Sequence, residues 1–421
     1  MDLLIKSVKV IDPEGPHHGR TLDILIRDGN IDSIGEGIGA KGVEKLEGDQ
    51  LFVSAGWMAL GVHTGDPGFE HREDLQSVGA AAAAGGFTAL SCLPNTDPAL
   101  HSKSEISYIL QNTAGQPARF YPVGAISRRC MGKEITEMID MHAAGAIAFS
   151  DGTHPLQHDG LMLRALQYVK AFDGLVVNQP LDQEISGSGQ MHEGEVSTAL
   201  GLSGIPAIAE ELMVQRDLRL LEYTDSRLHL ANLSAAGSVQ LVREAKKKGL
   251  RVTASVPFMN LAFDDEAVSS FDANYKLMPP LRGHDDRQAL REGLLDGTID
   301  AISVNHIPLE EELKKKEFSY AEFGATGLEV LYSICKTYLG DWLSDEAFVR
   351  SIAHNPRRIF GLPVPRIEEG QPAELTVFSP ARQWVYSRSQ ALSRSFNSPF
   401  LDKELTGRPV AVINRGKVVK V

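Results

Sequence analysis

Two side chains in this sequence have a type and placement suited to holding a metal ion or moving a proton. They are His63, in Gly61-Val62-His63-Thr64, and Asp151, in Phe149-Ser150-Asp151-Gly152. Each closes an apolar run with the character of a buried strand. Other such runs close on amides: Val177-Asn178-Gln179, Ala231-Asn232 and Val304-Asn305-His306. An amide hydrogen-bonds in both directions but is neutral and a poor zinc donor. His306 follows Asn305 directly, so strand alternation points it to the opposite side. The plainer uses stay open: His63 as a hydrogen-bonded core histidine, Asp151 as a turn or cap carboxylate before Gly152. His154 is loop-borne and could swing inward, whereas His192-Glu193 reads as loop packing. Asn95, in Pro94-Asn95-Thr96, either forms a turn or contacts a pocket ligand.

The elements that must position these groups follow from the apolar pattern. Candidate buried strands are 57–62, 87–93, 119–125, 146–150, 174–179, 227–232, 251–256 and 299–305, with a helical segment between each and the next. One helix start is the capping box Ser102-Lys103-Ser104-Glu105. Eight strands alternating with helices suggest an α/β chain, a parallel (β/α)8 barrel, with a doubly wound open sheet as runner-up. In a barrel the C-terminal strand ends carry the chemistry, which is where the five runs above lie. The two termini are strand-like, as in Leu3–Ile11, Asp23–Ile26, Glu374–Phe378 and Val410–Val419, yet neither alone has enough strands for a stable sheet. We therefore expect a small β-sandwich domain from residues 1–53 and 366–421, and a barrel from 54–365.

Composition narrows the function classes. With 43% hydrophobic and 23% charged residues, a large core can form and global disorder is excluded. Lys+Arg 42 against Asp+Glu 55 gives −13 without long like-charge blocks, so no nucleic-acid footprint or polybasic membrane patch is expected. Lys246-Lys247-Lys248-Gly249 reads as a helix C-terminus, and Glu310–Glu312 before Lys314–Lys316 as i,i+4 ion pairs. Gly85-Gly86 reads as a helix stop. The uncharged stretch 75–95 contains Gly79, Gly85, Gly86 and Pro94 and is no membrane span. Three scattered cysteines exclude a disulfide framework and a cysteine zinc cluster. A cytoplasmic protein is expected.

Several runs in order resemble the dihydroorotases of the amidohydrolase superfamily. They are Asp66-Pro67-Gly68-Phe69-Glu70-His71-Arg72-Glu73-Asp74, Ala81–Thr88, Pro94-Asn95-Thr96, Phe149-Ser150-Asp151, Met191-His192-Glu193-Gly194, Pro279-Pro280-Leu281-Arg282, Glu292–Asp300 and Asn355-Pro356-Arg357-Arg358-Ile359. The resemblance implies the same barrel and composite β domain, a homodimer, and one or two zinc ions. It also implies which positions should be ligands. The first imidazole of the family's His-x-His pair falls at Gly61, with His63 as the second. The strand-5 histidine falls at Asn178 or Gln179, with spacing favouring Gln179. The strand-6 histidine falls at Asn232, and the strand-8 aspartate, ligand and proton carrier, at Asn305. The aspartate before the pair is Ala59, the substrate-gripping arginine Gly65, and the substrate-binding asparagine Met278. His63 and Asp151 alone remain of the metal set.

Two ligands are too few to hold zinc against water, and without zinc the activated hydroxide and its proton shuttle are absent. No catalytic residue and no cofactor are then expected. The resemblance extends to inactive dihydroorotase-like subunits that partner aspartate carbamoyltransferase, so a scaffold or regulatory subunit is the leading expectation. An active zinc-dependent cyclic amidohydrolase with an unusual site, using His63, Asp151 and a loop group, is the alternative. A small-molecule sensor in the remodelled pocket is a third.

Overall fold

The computed structural model describes the backbone of residues 1–421 and every side chain except that of Asp341. The N-terminal strands are β1 (Leu3–Val10), β2 (Thr21–Arg27), β3 (Asn30–Gly35), β4 (Glu44–Leu46) and β5 (Phe52–Ala55). Then come β6 (Trp57–Val62), β7 (Phe87–Cys92), β8 (Arg119–Pro122) and β9 (Val176–Asn178). A two-residue pair, β10 (Met191–His192) and β11 (Gly204–Ile205), precedes β12 (Leu228–Leu230), β13 (Val252–Pro257) and β14 (Ala301–Ser303). The chain ends with β15 (Leu375–Val385), β16 (Glu404–Asn414) and β17 (Lys417–Lys420).

Both ends of the chain build one eight-stranded sheet, ordered β17-β16-β15-β5-β1-β2-β3, with β4 also on β1. The seam between the ends is the antiparallel β5–β15 pair, where Ala55 faces Leu375 and Val53 faces Val377. What holds it is the apolar set Leu3, Ile5, Val8, Val53, Leu375, Val377 and Ile413, all buried in one cluster. Burying seven such side chains contributes on the order of 10 kcal/mol, which neither terminus could gather alone.

The remaining strands trace a ring. β6, β7 and β8 pair in parallel, as do β9, β12, β13 and β14. Parallel bridges Gly124↔Phe149, Phe149↔Val176 and Val62↔His306 join the two sets end to end. At least one helix lies between each ring segment and the next, the longest in each interval being Leu75–Ala84, Lys103–Asn112, Met138–Ala144, Asp159–Val169, Ile208–Thr224, Ala236–Lys247 and His284–Leu295. The apolar interior between ring and helices is one large cluster that includes Trp57, Phe87, Phe120, Phe149 and Val256.

Local departures from the sequence reading have physical causes. The expected strand 146–150 is not a regular strand and contributes only single bridges at Phe149. Its backbone is still hydrogen-bonded on both sides, Phe149 N to Leu175 O at 2.9 Å and Ser150 N to Gly124 O at 2.9 Å. It runs from the left-handed Gly145 to the turn at Asp151. Ser102 caps its helix through Ser104 N at 3.2 Å, but the Glu105 half of the expected box is not made. The capping box that does form joins Asp74 and Ser77. Lys315 pairs with Glu311 at 3.0 Å as expected. Lys314 instead is buried and donates to Glu322 O at 2.8 Å, so i,i+4 pairing does not explain it. Among the described residues no helix is long and apolar enough to cross a membrane.

Candidate functional site

His63 follows β6 at the C-terminal end of the ring. Its backbone N–H donates to His306 O at 3.0 Å, which stitches β6 to the segment after β14. Its Nδ1 accepts the Gly65 N–H at 3.3 Å, and the ring lies 6.1 Å from that of Phe69. Burial pushes its pKa down from 6.5 to about 4, with Arg72 and His306 adding in the same direction. The imidazole is therefore neutral at pH 7, with one nitrogen already engaged. Two residues before it, Gly61 has φ +73° at a register shift between β6 and β7. Any L side chain there strains the backbone by ~1 kcal/mol or more, so the strand path at residue 61 favours glycine over an imidazole-bearing residue.

At the same end of the ring, three amides form one network that reaches from the segment after β9 to the one after β14. Asn232 Nδ2 donates to Gln179 Oε1 at 3.1 Å and to Asn305 Oδ1 at 3.3 Å. Asn232 Oδ1 accepts from Ser303 Oγ at 2.6 Å, and Asn305 Nδ2 donates to Met278 O at 3.0 Å. Asn232 and Asn305 both have positive φ, +58° and +45°, a conformation asparagine tolerates better than most residues. The ring bottom continues the polar path: Ser255 Oγ meets Asn232 N at 3.3 Å and His229 Nε2 at 3.0 Å, and His229 Nδ1 meets Thr253 Oγ1 at 2.9 Å. Beside the amides, Met278 packs with Leu181, Ile205, Ala209 and Phe323. Where the resemblance implies an asparagine for substrate, this chain presents an apolar cluster.

Three positions that the sequence leaves open between two uses each take one place in the structure. Asn178 does not join the amides: its Nδ2 donates to Asp217 Oδ2 at 2.7 Å and its Oδ1 accepts from Leu156 N at 3.2 Å. Strand alternation turns it toward the helix Ile208–Thr224, and Gln179, the next residue, is the one that meets Asn232. Asp151 is buried with both oxygens engaged by Ser127, the backbone N–H on Oδ1 at 2.8 Å and the hydroxyl on Oδ2. Burial raises its pKa while those bonds lower it. It serves as the anchor of a turn, and no hydrogen bond or ion pair joins it to His63 among the described residues. Asn95 is not free for a ligand either. Its amide spans Asp151 O at 3.0 Å and Thr153 N at 3.0 Å. Gly152 beneath it has φ +63°, and a Cβ there would lie 1.8 Å from Asn95 Oδ1.

Three other histidines near the mouth each have one ring nitrogen engaged. His154 Nδ1 meets Cys130 O at 3.0 Å. His306 points away from the amides, accepting Gly327 N–H on Nδ1 at 3.1 Å and facing Glu73 Oε2 at 3.6 Å. His192 lies 3.3 Å from Arg282 Nη1. Sequence reasoning missed two buried ionic clusters near the mouth. Glu73, fully buried, accepts from Ser77, Ser393 and Arg394 N. Arg282 donates to Ser234 Oγ at 2.8 Å and Ile205 O at 3.1 Å beside Glu210. Their partners lie up to 321 residues apart in sequence, and no spacing pattern announces them.

A zinc centre of the kind the resemblance implies does not match this donor set. Gly61 has no side chain, the amides Gln179 and Asn305 are both bonded to Asn232, and Asp151 has each oxygen engaged by Ser127. Among the described residues, no three His, Cys, Asp or Glu side chains come together in a metal-holding group.

Comparison with known proteins places the ancestry of this site. The family model described as dihydro-orotase-like matches residues 50–238. A protein named Dihydroorotase from Pelotomaculum thermopropionicum is 42% identical over 421 residues, spanning all of this chain and 98% of the relative. Another of that name, from Syntrophus aciditrophicus, is 38% identical over 423 residues, spanning all of this chain and 99% of its own. The chain belongs to the dihydroorotase-like family. Among solved structures, the L-hydantoinase (dihydropyrimidinase) of Arthrobacter aurescens matches all of this chain and 96% of its own, with a TM-score of 0.85 at 23% identity. At that identity the likeness shows the fold alone, a mixed α/β fold shared with hydantoinases. Within this dihydroorotase-like chain, the ring and the sheet from both termini therefore have a full-length structural counterpart.

Proposed function

We propose that this chain is a dihydroorotase-like protein of pyrimidine biosynthesis whose ring is a (β/α)8 barrel with a metal-free mouth, and that it is a non-catalytic scaffold or regulatory subunit. The observation that carries the metal-free reading is the amide network. Asn232 spends its two donors on Gln179 and Asn305 and its acceptor on Ser303. The three positions from which the family would draw strong ligands are thus neutral and mutually satisfied. A pocket of carboxylates stripped of its cations would be desolvated and repulsive, and asparagine keeps the shape while removing that penalty. With no zinc-bound hydroxide and no strand-8 carboxylate, ring opening of a cyclic amide has neither nucleophile nor proton carrier here. Aspartate carbamoyltransferase as partner, a homodimeric state and a cytoplasmic location rest on the resemblance alone.

The second reading, an active zinc-dependent dihydroorotase with an unusual site, is favoured by the names of the relatives. Proteins called Dihydroorotase match this chain from end to end at 37–42% identity, and for them the name speaks of activity rather than assembly. The two readings part in one experiment. Protein purified without added metal is assayed for zinc by mass spectrometry and for dihydroorotate hydrolysis with and without added zinc. Less than a tenth of an equivalent of metal and no turnover are expected; stoichiometric zinc with turnover would establish the second reading. Co-expression with the organism's aspartate carbamoyltransferase, followed by sizing, tests the partner: separate elution would remove it.

A further inference from the structure

A cavity of about 770 Å³ lies at the end of the ring opposite the mouth, where the terminal sheet meets the helical run after β14. Its placement follows from Asn355, whose Nδ2 donates at 2.7 Å to the carbonyl of Asp300, the residue just before β14. The cavity is bordered by Asp12 and Glu14 from the turn after β1, and by His354 and Arg358. His354 is 1% exposed, and neither of its ring nitrogens has a hydrogen-bond partner. Asp12 Oδ1 stands 3.6 Å from its Nε2 and Glu14 Oε1 3.7 Å from its Nδ1, both too far for a hydrogen bond. A buried imidazole with both nitrogens unmet, facing open space, is the mark of a site rather than of packing.

The lining selects the ligand by charge and by shape. Four carboxylates border the cavity, Asp12, Glu14, Glu368 and Glu374, against two arginines, Arg358 and Arg366. Glu14 pairs with Arg358, Glu374 with Arg357, and Glu368 lies 4.0 Å from Arg366. Asp12, 5% exposed, faces no cationic side chain other than His354 among the described residues. The remaining wall is mostly apolar, made by Pro363, Val364, Pro365 and Pro372 with Gln371 as its one uncharged polar side chain. An anionic corner with a bare imidazole acceptor asks for a donor-rich cation, and an ammonium has three donors and no acceptor. The proline wall asks for methylenes beside it. We propose that this cavity binds a linear aliphatic polyamine, with one ammonium between Asp12 and His354 and the hydrocarbon segment along the proline wall.

This inference is independent of what the mouth does. The test is calorimetric titration of the full-length chain with spermidine at constant ionic strength, with KCl and MgCl2 as comparison titrants. One spermidine per chain is expected, with no comparable heat from either salt. Asp12→Asn should weaken binding at least ten-fold. Val364→Trp, which fills the cavity from its half-buried wall without altering any charge, should abolish it while circular dichroism stays native. Absence of spermidine binding, equal binding of Mg2+, or undiminished binding by a folded Val364→Trp variant would each overturn the proposal.

Discussion

Replacing Asn232 by alanine tests whether the mouth is held together by its amides. The substitution removes the donor that serves both Gln179 Oε1 and Asn305 Oδ1, and the acceptor that serves the Ser303 hydroxyl. The hydroxyl can rotate toward another acceptor; the two amide oxygens cannot easily do so. A buried acceptor left without a partner costs about 1–3 kcal/mol, so two of them set a ceiling of about 6 kcal/mol. Amide rotation and water entering at the mouth recover part of that, while the left-handed backbone at residue 232 adds ~1 kcal/mol for alanine over asparagine. We expect a loss of about 2–4 kcal/mol, read from urea unfolding as a lower midpoint at unchanged slope. A double-mutant cycle with Gln179→Ala should show coupling of about 0.5–2 kcal/mol, because the second change removes one of the orphaned acceptors. In the same assay EDTA should leave the wild-type midpoint where it is, since removing a resident ion would lower it by mass action. A loss under about 0.5 kcal/mol with additive singles, or a drop on adding EDTA, refutes the metal-free network.

Three further outcomes follow from the buried ionisable groups. His63 takes a proton near pH 6.5 when unfolded and only near pH 4 when folded, so between those values the unfolded chain binds more protons. Stability then rises with pH across that window and is lost as pH falls through it, by up to ~3 kcal/mol; His63→Gln should flatten the slope between pH 4 and 6.5 in pH-dependent urea unfolding. Arg282→Met strands the Glu210 carboxylate, which lies 3.7 Å from the guanidinium. Loss of a buried partner costs about 3–5 kcal/mol, and the lower end is expected because Ser234 N and Ala235 N still donate to Glu210 at 2.9 and 3.0 Å. A denaturation midpoint within 0.5 kcal/mol of wild type would show that the pair is not structural. Burial lowers the Lys314 pKa from 10.5 to about 7, so the unfolded chain holds more protons between pH 7 and 10.5 and stability rises with pH there. Lys314→Met should remove that rise, and persistence of the rise in the variant would assign it elsewhere.

How far the residues alone could be read differs from element to element. β6 was legible to the residue, Trp57–Val62, because a continuous apolar run bounded by Gly56 and His63 leaves little choice of register. That the chain ends build one β unit was legible from shortage, too few strands at each terminus to cover their own apolar faces, but the expected sandwich is a single eight-stranded sheet. That glycine and amides stand at Gly61, Gln179, Asn232 and Asn305 was legible because it is a matter of side-chain type, and type does not depend on folding. The fates of the survivors were not legible. Whether position 178 or 179 enters the mouth depends on strand alternation, which one residue of slip reverses. Asp151 reads the same in sequence as a ligand or as an anchor, and only the approach of Ser127, 24 residues earlier, decides it. The Glu73 and Arg282 clusters and the bare imidazole of His354 depend on partners from remote segments. Composition and spacing thus determined which side-chain types stand at the strand ends. The tertiary structure decided what those groups do, because a hydrogen bond or an ion pair is set by distances of a few ångströms that sequence separation does not encode.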